Sequence, residues 1–477
     1  MKLLLSFLLL SSFAVNPANN KVVDKDIKKE EQTKVLTIYN VEEYIDEDLL
    51  VEFKEFYEVK YNEKIEVIYN TYESNEIMLN NIKTGKTQYD LICPSDYTIQ
   101  KMLNEDLLIK FDMNEDNLTY TNVENYNKYA SPYIKELFIG KGWQEYSIPY
   151  MWGTMGIIYN IDTVENHEDM HTWLSLWDKE YYKRFTIKNS VRDTYFVGIA
   201  DAYHDELIAA KAQYESDGDA KAYNKRVTEI FNYCDDEHIK EIEKSLISLK
   251  NNAYGLEVDS GKNDVSTGKI DINFAWSGDA VYAIELAAEN DINLNYVIPD
   301  EGSNIWFDGW VMPKGANKEL AQIFVNFICD PASAIKNMEY IGYTSAIAGE
   351  DVFNYMNDSY AGEGDNLVTF DLSYFFNGTM DSEVEPIIYI NEEDRYIISA
   401  QYPTEEEIIR CAIMQDFGDQ NTAVLKVWSR IKVIQIPTYV YIVSLVVVIA
   451  IASLYYGNKI RKNAIRKKRM NKHKKAK

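Results

Sequence analysis

The sequence is poor in cysteine, in histidine and in positive charge. Its four cysteines are too few for a disulfide-rich scaffold and have no spacing typical of a metal site. The 49 lysines and arginines face 76 aspartates and glutamates, and the formal net charge is −27. Because an acidic chain repels phosphate backbones, we do not expect a nucleic-acid partner. Aromatic residues make up 13% of the 477 residues, which excludes a wholly disordered chain and fits two or three compact units of about 150 residues.

The positive charge that the chain does contain is concentrated at its C-terminal end. Residues 457–477 carry 11 lysines and arginines and no acid, so residues 1–456 hold 38 cations against 76 acids. The segment 437–456 before them is uncharged and apolar, and its twenty residues would rise about 30 Å as a helix, the hydrocarbon thickness of a bilayer. The sequence therefore predicts a transmembrane helix over 437–456, a basic cytoplasmic tail over 457–477 and a body on the extracellular side.

The first residues have the pattern of a secretory signal. One lysine precedes an apolar stretch over 3–15, and small residues before a proline allow cleavage after Ala14. We expect residues 1–20 to be a signal peptide or a short N-terminal anchor, followed by a charged spacer over 21–34. No cysteine precedes Cys93, so we expect no lipoprotein anchor here, and the segment 437–456 would take that role.

Short apolar runs alternate with segments of helical periodicity in the body of the chain. The runs VLTIYN, IEVIYNTYES and YDLICPS fit buried strands, and LLVEFKEFYEVKYN and NEIMLNNIK between them fit helices. Further candidate strands are GTMGIIYN, IDINFAWSG and NLNYVIP. This alternation is typical of βαβ units, so we predict the α/β fold class with a largely parallel sheet.

Acidic and aromatic residues recur together at the ends of the predicted strands. The four groups are YNVEEY, CPSDY, FAWSGD and IWFDGW. In open α/β sheets, ligands bind beyond the carboxyl ends of the strands. Carboxylates pair with ammonium groups, and aromatic faces cover methylenes and attract cations, so the combination suits an elongated organic cation. One such group alone is more often a solvated acid beside a core aromatic, but four recurrences favour a binding site.

These segments resemble a known family, the extracellular spermidine/putrescine-binding proteins of ABC importers. The resemblance runs from about residue 35 to 433, and its most specific stretches keep their order: YNVEEYIDEDLLVEF, VIYNTYESNEIM, YDLICPSDYTIQKM, YSIPYMWGTMGIIYN, INFAWSGDAVYA, and IPDEGSNIWFDGWVMPKGANK through to IGYTSA. The resemblance implies a type II periplasmic-binding-protein fold whose two lobes close over a polyamine. It places lobe 1 near 33–147 and 306–350, and lobe 2 near 148–305 and 351–432. It also implies a membrane permease with its ATPase as partners, and neither a cofactor nor catalysis.

The resemblance further implies an aromatic lining for the ligand site. Tyr44 and Tyr97 match the aromatic walls of the family's site. Trp276 and Trp306 match the rings that sandwich the methylene chain of the ligand. The sequence departs from the family at Val41, where the first strand usually supplies a tryptophan, so one wall is missing.

The polar contacts are also implied residue by residue. The matched positions are Glu43, Ser95, Asp193, Asp308, Tyr343 and Gln415. Asp308 matches the carboxylate that takes an amine, and Asp193 matches the carboxylate of its own segment. A second carboxylate of spermidine-preferring members is replaced by Ser190, whereas Asp279 matches a carboxylate of putrescine-preferring members. Substrate choice among polyamines therefore stays open, with a slight lean to putrescine.

Two alternatives remain at the level of the sequence. The segment HEDMH, His167–His171, fits the H-E-x-x-H pattern of zinc hydrolases, with Glu168 as the base. A catalytic zinc needs a third protein ligand, and His204, His238 and His473 complete no recognised signature, so a polar surface loop is favoured. A surface-anchored interaction protein would also be acidic and membrane-bound, but it would not require acids and aromatics at the strand ends.

Overall fold

A computed structural model describes residues 33–114, 116–432, 446–449 and 453–456 of the chain. The predicted signal peptide or anchor over 1–20, nearly all of the spacer over 21–34 and the basic tail over 457–477 lie outside these residues. Most of the predicted transmembrane helix over 437–456 lies outside them as well. Among the residues that are described, no helix has the length and apolar character needed to cross a membrane.

The described residues alternate between strands and helices along most of the chain. The strands are β1 Lys34–Val41, β2 Ile65–Tyr72, β3 Leu91–Ile92, β4 Leu108–Ile109, β5 Met113–Asn114, β6 Thr119–Tyr120, β7 Ser147–Asn160, β8 Phe185–Lys188, β9 Gly255–Glu257, β10 Ile272–Trp276, β11 Leu294–Val297, β12 Ser303–Pro313, β13 Thr344–Ser345, β14 Val368–Asp371, β15 Ile387–Ile390 and β16 Cys411–Ala412. The α-helices are α1 Asp48–Tyr61, α2 Asn75–Thr84, α3 Asp96–Asn104, α4 Glu124–Tyr129, α5 Pro132–Lys141, α6 Val191–Ala202, α7 His204–Asp217, α8 Ala220–Phe231, α9 Asp236–Asn252, α10 Ser260–Ser266, α11 Ser277–Ala288, α12 Lys318–Ile328, α13 Pro331–Ile341, α14 Glu350–Tyr360, α15 Ser373–Phe376, α16 Arg395–Gln401, α17 Glu405–Ile409 and α18 Asn421–Lys432. Short 3-10 helices cover His167–His171, Trp173–Trp177, Glu392–Asp394 and Gly418–Gln420.

Two long strands join two sections of one sheet, whose strand order is β2-β1-β3-β12-β7-β10-β8-β9. The first section consists of β1, β2 and β3 with the C-terminal half of β12 and the N-terminal half of β7. The second section consists of β8, β9, β10 and β11 with the C-terminal half of β7. Within each section the shorter strands pair in parallel, apart from the antiparallel β11, and each parallel strand except β9 leads into a longer helix.

The core is thickest where β7 and β12 pair. Every residue of these two strands is buried, because helices cover both faces of the sheet there. Trp152 stacks between Phe307 (ring centroids 6.1 Å) and Phe375 of α15 (5.4 Å). The pairing of the two strands shifts register between Phe307 and Gly309, which places Asp308 at an irregularity of β12. Such bulges re-aim a side chain, and here the affected side chain is an aspartate.

The predicted α/β class is confirmed, but the prediction of a largely parallel sheet is wrong for its centre. The long strand β7 pairs antiparallel with β10, β11, β12 and β13. The sequence pattern GTMGIIYN covers only the second half of β7, because the first half, SIPYMW, alternates less clearly and contains a proline. A continuously buried strand has no two-residue periodicity, so neither its length nor its direction could be derived from the pattern.

Candidate functional site

A cavity of about 420 Å³ lies between the two sections of the sheet. It is lined by residues that follow the carboxyl ends of β1, β3, β8 and β10, and by the middle of β12. Ten of the eleven predicted ligand-binding residues line it: Glu43, Tyr44, Ser95, Tyr97, Asp193, Trp276, Asp279, Trp306, Asp308 and Tyr343. The structure therefore brings the four predicted acid-and-aromatic groups to one place.

Gln415 is the predicted residue that the structure does not bring to the cavity. Its side chain is exposed, and its backbone is bonded elsewhere. Its carbonyl accepts a hydrogen bond from Arg192 (2.6 Å), and its N–H donates to Asn232 (2.7 Å). The preceding residue, Met414, lines the cavity instead, so we leave Gln415 out of the candidate site.

Three of the helices that begin at the cavity carry an aspartate in their first turn. The aspartates are Asp96 of α3, Asp193 of α6 and Asp279 of α11. A helix N-terminus has a partial positive charge, which stabilises a nearby carboxylate. The residues at the N-caps of α3 and α6, Ser95 and Ser190, use no side-chain oxygen for capping. The helix ends therefore present carboxylates and serine hydroxyls to the cavity, and the hydroxyls bond to neighbouring side chains rather than to the helix backbone.

Asp308 is the carboxylate with an oxygen left over. Its Oδ2 atom accepts a hydrogen bond of 2.7 Å from the hydroxyl of Tyr44. Its Oδ1 atom is buried and accepts no hydrogen bond from the residues that the structure describes. An unpartnered carboxylate oxygen away from water costs a few kcal/mol unless a donor or a cation reaches it. The side chain lines the cavity, so a molecule bound there would lie beside this carboxylate.

Burial raises the pKa values of the three acids that face this part of the cavity. Burial raises the pKa of Asp308 to about 6, the nearby hydroxyls of Tyr44 and Ser95 offset this in part, and the charge of Asp193 raises the pKa further. The pKa of Asp96 is raised well above its usual range, by burial first and by the charge of Asp308 second. Burial also raises the pKa of Asp193, although hydrogen bonds from Ser190 and Trp276 lower it. The charge of Arg192 lowers the pKa values of Asp96 and Asp193, and that of Lys188 also lowers the pKa of Asp193, but burial outweighs both. A positively charged ligand would stabilise the ionised form of all three acids.

Aromatic rings surround the free oxygen of Asp308. Tyr343 makes edge contacts with Tyr44 (ring centroids 5.2 Å) and with Trp306 (5.6 Å). The indole N–H of Trp306 donates to the carbonyl of Thr154 (3.2 Å), so the ring is fixed without using any group of the cavity. These rings offer apolar faces to methylene groups and electron-rich faces to a cation.

Two glycines allow the rings to pack this closely. A Cβ atom on Gly278 would lie 2.3 Å from the ring of Tyr343. A Cβ atom on Gly153 would lie 2.3 Å from the hydroxyl oxygen of Ser277 and 2.7 Å from the ring of Trp306. No other residue fits at either position without moving a wall of the cavity.

Asp279 differs from Asp308 because both of its oxygens are occupied. Its Oδ2 atom accepts a hydrogen bond of 2.6 Å from Lys188, and its Oδ1 atom accepts one of 3.0 Å from the hydroxyl of Tyr343. Lys262 approaches Oδ1 to 3.8 Å. The carboxylate that the resemblance assigns to putrescine-preferring members is therefore neutralised within the protein.

Glu43 lies at the rim of the cavity and spans its opening. It belongs to the turn after β1, has a positive φ of 54° and approaches Lys262 of α10 to 3.9 Å. A hydrogen bond with Asp259 and the negative charge of that residue raise the pKa of Glu43, because two neighbouring carboxylates repel each other and a proton on one of them relieves the repulsion. Glu43 therefore connects the first section of the sheet to α10 across the cavity mouth.

The lysines of the site, Lys188 and Lys262, and the amide of Asn75 were not predicted from the sequence. Lys188 and Glu257 end the apolar strands β8 and β9, so the rule that pointed to acids at strand ends applies to them as well. The amide of Asn75 donates to the hydroxyls of Ser95 (3.0 Å) and Tyr97 (3.2 Å) and orients both. No local pattern around Asn75 predicts this, because its partners lie twenty residues or more away in the chain.

The zinc-hydrolase alternative is not supported. HEDMH forms a five-residue 3-10 helix, in which residues three apart, not four apart, share a face. The ring of His167 bonds to the carbonyl of Ile161 (2.9 Å). Within the described ranges, no group of three or more histidine, cysteine, aspartate or glutamate side chains is arranged to hold a metal ion.

We predict that Asp308→Asn stabilises the ligand-free protein at neutral pH. Because the folded-state pKa of about 6 lies above the unfolded value of about 4, the cost of the ionised side chain is small at pH 4, grows between pH 4 and 6 and is complete above pH 6. Removing it should raise the free energy of unfolding at pH 7.5 by about 1–3 kcal/mol and change it little at pH 4. Denaturant unfolding at the two pH values measures this.

The matched control is Asp358→Asn, on the exposed face of α14, which should change stability by less than about 0.5 kcal/mol at either pH. If Asp308→Asn lowers the free energy of unfolding by the same amount at pH 7.5 and at pH 4, the ionised carboxylate does not destabilise the folded protein.

Comparisons with known proteins agree with this architecture. The model of the family described as "Bacterial extracellular solute-binding protein" matches residues 51–351. The chain is 29% identical over 311 residues to the spermidine/putrescine-binding periplasmic protein of Escherichia coli (strain K12), covering 65% of this chain and 76% of that protein. It is 30% identical over 305 residues to the putrescine-binding periplasmic protein SpuD of Pseudomonas aeruginosa (strain UCBPP-PA14), covering 62% of this chain and 74% of that protein.

Solved structures agree as well. A putative spermidine/putrescine ABC transporter from Listeria monocytogenes superposes with a TM-score of 0.60 at 26% identity, over 84% of this chain and 99% of the other. The spermidine/putrescine substrate-binding protein PotD of Streptococcus pneumoniae superposes with a TM-score of 0.56 at 26% identity, with the same coverage. The family match spans more than half of the sequence, so the chain belongs to the bacterial extracellular solute-binding protein family and has the mixed α/β fold of type II periplasmic binding proteins.

Proposed function

We propose that the protein is the solute-binding component of a polyamine ABC importer. It would capture putrescine or spermidine between two lobes and deliver the ligand to a membrane permease and its ATPase. The observation that carries the proposal is the unpartnered Oδ1 atom of Asp308 inside an aromatic cavity. A protonated amine satisfies this oxygen, and the methylene chain of a polyamine suits the rings around it. The names of the relatives from Escherichia coli and Pseudomonas aeruginosa, a spermidine/putrescine-binding and a putrescine-binding protein, support the same ligand class.

The two sections of the sheet correspond to the two proposed lobes. We assign 33–147 and 306–350 to lobe 1, and 148–305 and 351–432 to lobe 2. The pairing of β7 with β12, which continues from one section to the other, supports a division into two lobes, as does the position of the cavity between the sections. Trp306 pairs with Gly153, so the crossing point in β7 lies nearer residue 153 than residue 148. A contact that crosses this boundary is the hydrogen bond from Tyr343 to Asp279. We assign the site a binding role and no catalytic step.

The proposed site comprises the ten predicted residues that line the cavity. Asp308 and Asp193 would hold an ammonium group, and Trp306 and Trp276 would cover the methylenes. The supporting observations are their positions around one cavity and the pKa values of the two acids, which burial raises when no cation is present. Closure over the ligand excludes water, so a neutral or anionic solute would leave these acids unpaired.

We predict that Asp308→Asn weakens binding of putrescine and spermidine by about 2–5 kcal/mol, because an ammonium would then be buried against a neutral amide. Isothermal titration calorimetry of the purified full-length protein measures this, with glutamate as an anionic ligand that should give no binding heat. Asp358→Asn serves as the control and should bind like the unmodified protein.

The same Asp308→Asn variant is expected to be more stable at pH 7.5 yet to bind less tightly, which separates a lost contact from a misfolded protein. Unchanged affinity in a folded Asp308→Asn variant would refute the assigned site. If the unmodified protein binds no polyamine at all, the interpretation as a surface-anchored interaction protein takes its place.

We also propose that segment 437–456 anchors the protein in the cell membrane, with the body outside and residues 457–477 in the cytoplasm. The sequence supports this through its twenty uncharged residues followed by 11 cations. A tethered receptor stays close to its permease, which raises the effective concentration of the pair. Each cation near the anionic inner leaflet adds up to about 1 kcal/mol of attraction.

Protease added to intact cells should therefore cut the body and spare a tag placed after Lys477. Deletion of 437–477 should release a folded, ligand-binding protein into the medium. Digestion of the tag in intact cells would show that the orientation is reversed, and a deleted form that stays with the membrane would show that the anchor lies elsewhere.

A further inference from the structure

Lys188 is a lysine buried at the carboxyl end of β8, with 0% of its side chain exposed. Its ammonium group donates to Asp279 Oδ2 (2.6 Å) and to the carbonyl of Val258 (3.1 Å), and it pairs with Glu257 Oε1 at 3.2 Å. It also lies over the ring of Trp276, 4.5 Å from the centroid. An ammonium has three donors, and this environment supplies one acceptor for each of them together with an aromatic face.

Three of these partners, Asp279, Val258 and Trp276, also line the cavity. Carboxylates, a backbone carbonyl and an indole face are the groups with which a protein would hold the amine of a ligand. Burial lowers the pKa of Lys188, but the charges of Asp279 and Glu257 outweigh this and raise the pKa overall, so the group is an ammonium. The ammonium group of Lys188 thus occupies a position in which these same partners could bind an amine of the ligand.

The two ends of the cavity differ in charge as a result. At one end Asp308 keeps a free oxygen. Asp193 is near both ends, because its charge raises the pKa of Asp308 and the charge of Lys188 lowers its own pKa. At the other end Asp279 is flanked by Lys188 and by Lys262, at 2.6 Å and 3.8 Å. A ligand amine that approached Asp279 would meet a carboxylate already neutralised and a second positive charge beside it, which is repulsive.

We propose that Lys188 acts as a built-in ammonium that fills one amine position of the cavity and thereby selects ligands with fewer amines. The inference rests on the proposed polyamine-binding function and deepens it. A diamine needs only the Asp308 end and the aromatic rings, whereas the additional amine of a triamine has no free carboxylate at the Asp279 end. Selection against longer polyamines would then come from an occupied site rather than from a missing acid.

The test compares Lys188→Met with Lys262→Met in the purified full-length protein. Lys188→Met keeps the length of the side chain but frees Asp279 Oδ2 and Glu257. Lys262→Met removes the same charge from the same end of the cavity but leaves Lys188 on Asp279, so it controls for the general effect of charge. Calorimetric titration with putrescine and with spermidine gives the ratio of the two affinities for each protein.

We expect Lys188→Met to raise the spermidine-to-putrescine affinity ratio by about tenfold or more, as one added ammonium–carboxylate pair requires, and Lys262→Met to change it less than about threefold. A second variant, Lys188→Met/Glu257→Gln, removes one charge of each sign, so it limits the cost of unpaired buried acids, and it should shift the ratio in the same direction.

Spermidine should also raise the melting temperature of Lys188→Met more than putrescine does. An unchanged ratio in either folded Lys188 variant, or an equal shift in Lys262→Met, would overturn the inference while leaving polyamine binding intact. If the unmodified protein binds neither putrescine nor spermidine, the proposed function itself is refuted. That result is distinguishable from a failure of the Lys188 inference, because it is obtained with the unmodified protein alone.

Discussion

A single buried carboxylate, that of Asp308, sets the constraint on which the rest of the site depends. It lies where the pairing of β12 with β7 shifts register, and it has one oxygen bonded to Tyr44 and one oxygen free. A well-packed core would not retain an acid whose burial raises its pKa to about 6 unless something compensates when the protein works. In the proposed function this compensation comes from a ligand cation among the surrounding rings and helix ends. Burial of the carboxylate would then destabilise the empty protein, and binding would offset that cost.

The cavity achieves selectivity by distributing its own charges unevenly. Asp96, Asp193 and Asp308 form no salt bridge among the described residues, although the charge of Arg192 lowers the pKa values of the first two, whereas Asp279 and Glu257 are paired with Lys188. In the proposal, the acids without a salt bridge attract the ligand and the paired ones exclude a further amine. A list of acidic residues around the cavity would not distinguish the two groups, since the distinction lies in which oxygens are already occupied. The overall acidity of the chain contributes less, because charges beyond about 8 Å are screened at physiological salt.

Much of this could be predicted from the sequence, and what could not has physical reasons. The bounds of β1, β2 and β11 follow from short apolar runs, and the acid-and-aromatic groups at strand ends meet at one cavity, as parallel strands require. The direction of β7 was not predictable, because a fully buried strand carries no alternation. The side chain of Gln415 was predicted to contact the ligand but does not line the cavity. Its segment is held by backbone hydrogen bonds to Arg192 and Asn232, which the match of one side chain does not reveal. Lys188 was not predicted to belong to the site, because the pattern of acids and aromatics at strand ends does not include lysine. A lysine that ends an apolar strand is nevertheless unusual, since buried lysines are rare.

The most direct test of the account is the exchange of protons when a polyamine binds. Near pH 6, Asp308 of the empty protein is about half protonated, and an ammonium at its free oxygen should displace that proton. Calorimetric titration with putrescine in two buffers of different ionisation enthalpy measures the protons released. The account predicts a release of about half a proton at pH 6, more at pH 5 and almost none at pH 8, and a smaller release at pH 5 and 6 in the Asp308→Asn variant. Tight binding without proton release at pH 6, or with the same release in that variant, would contradict it.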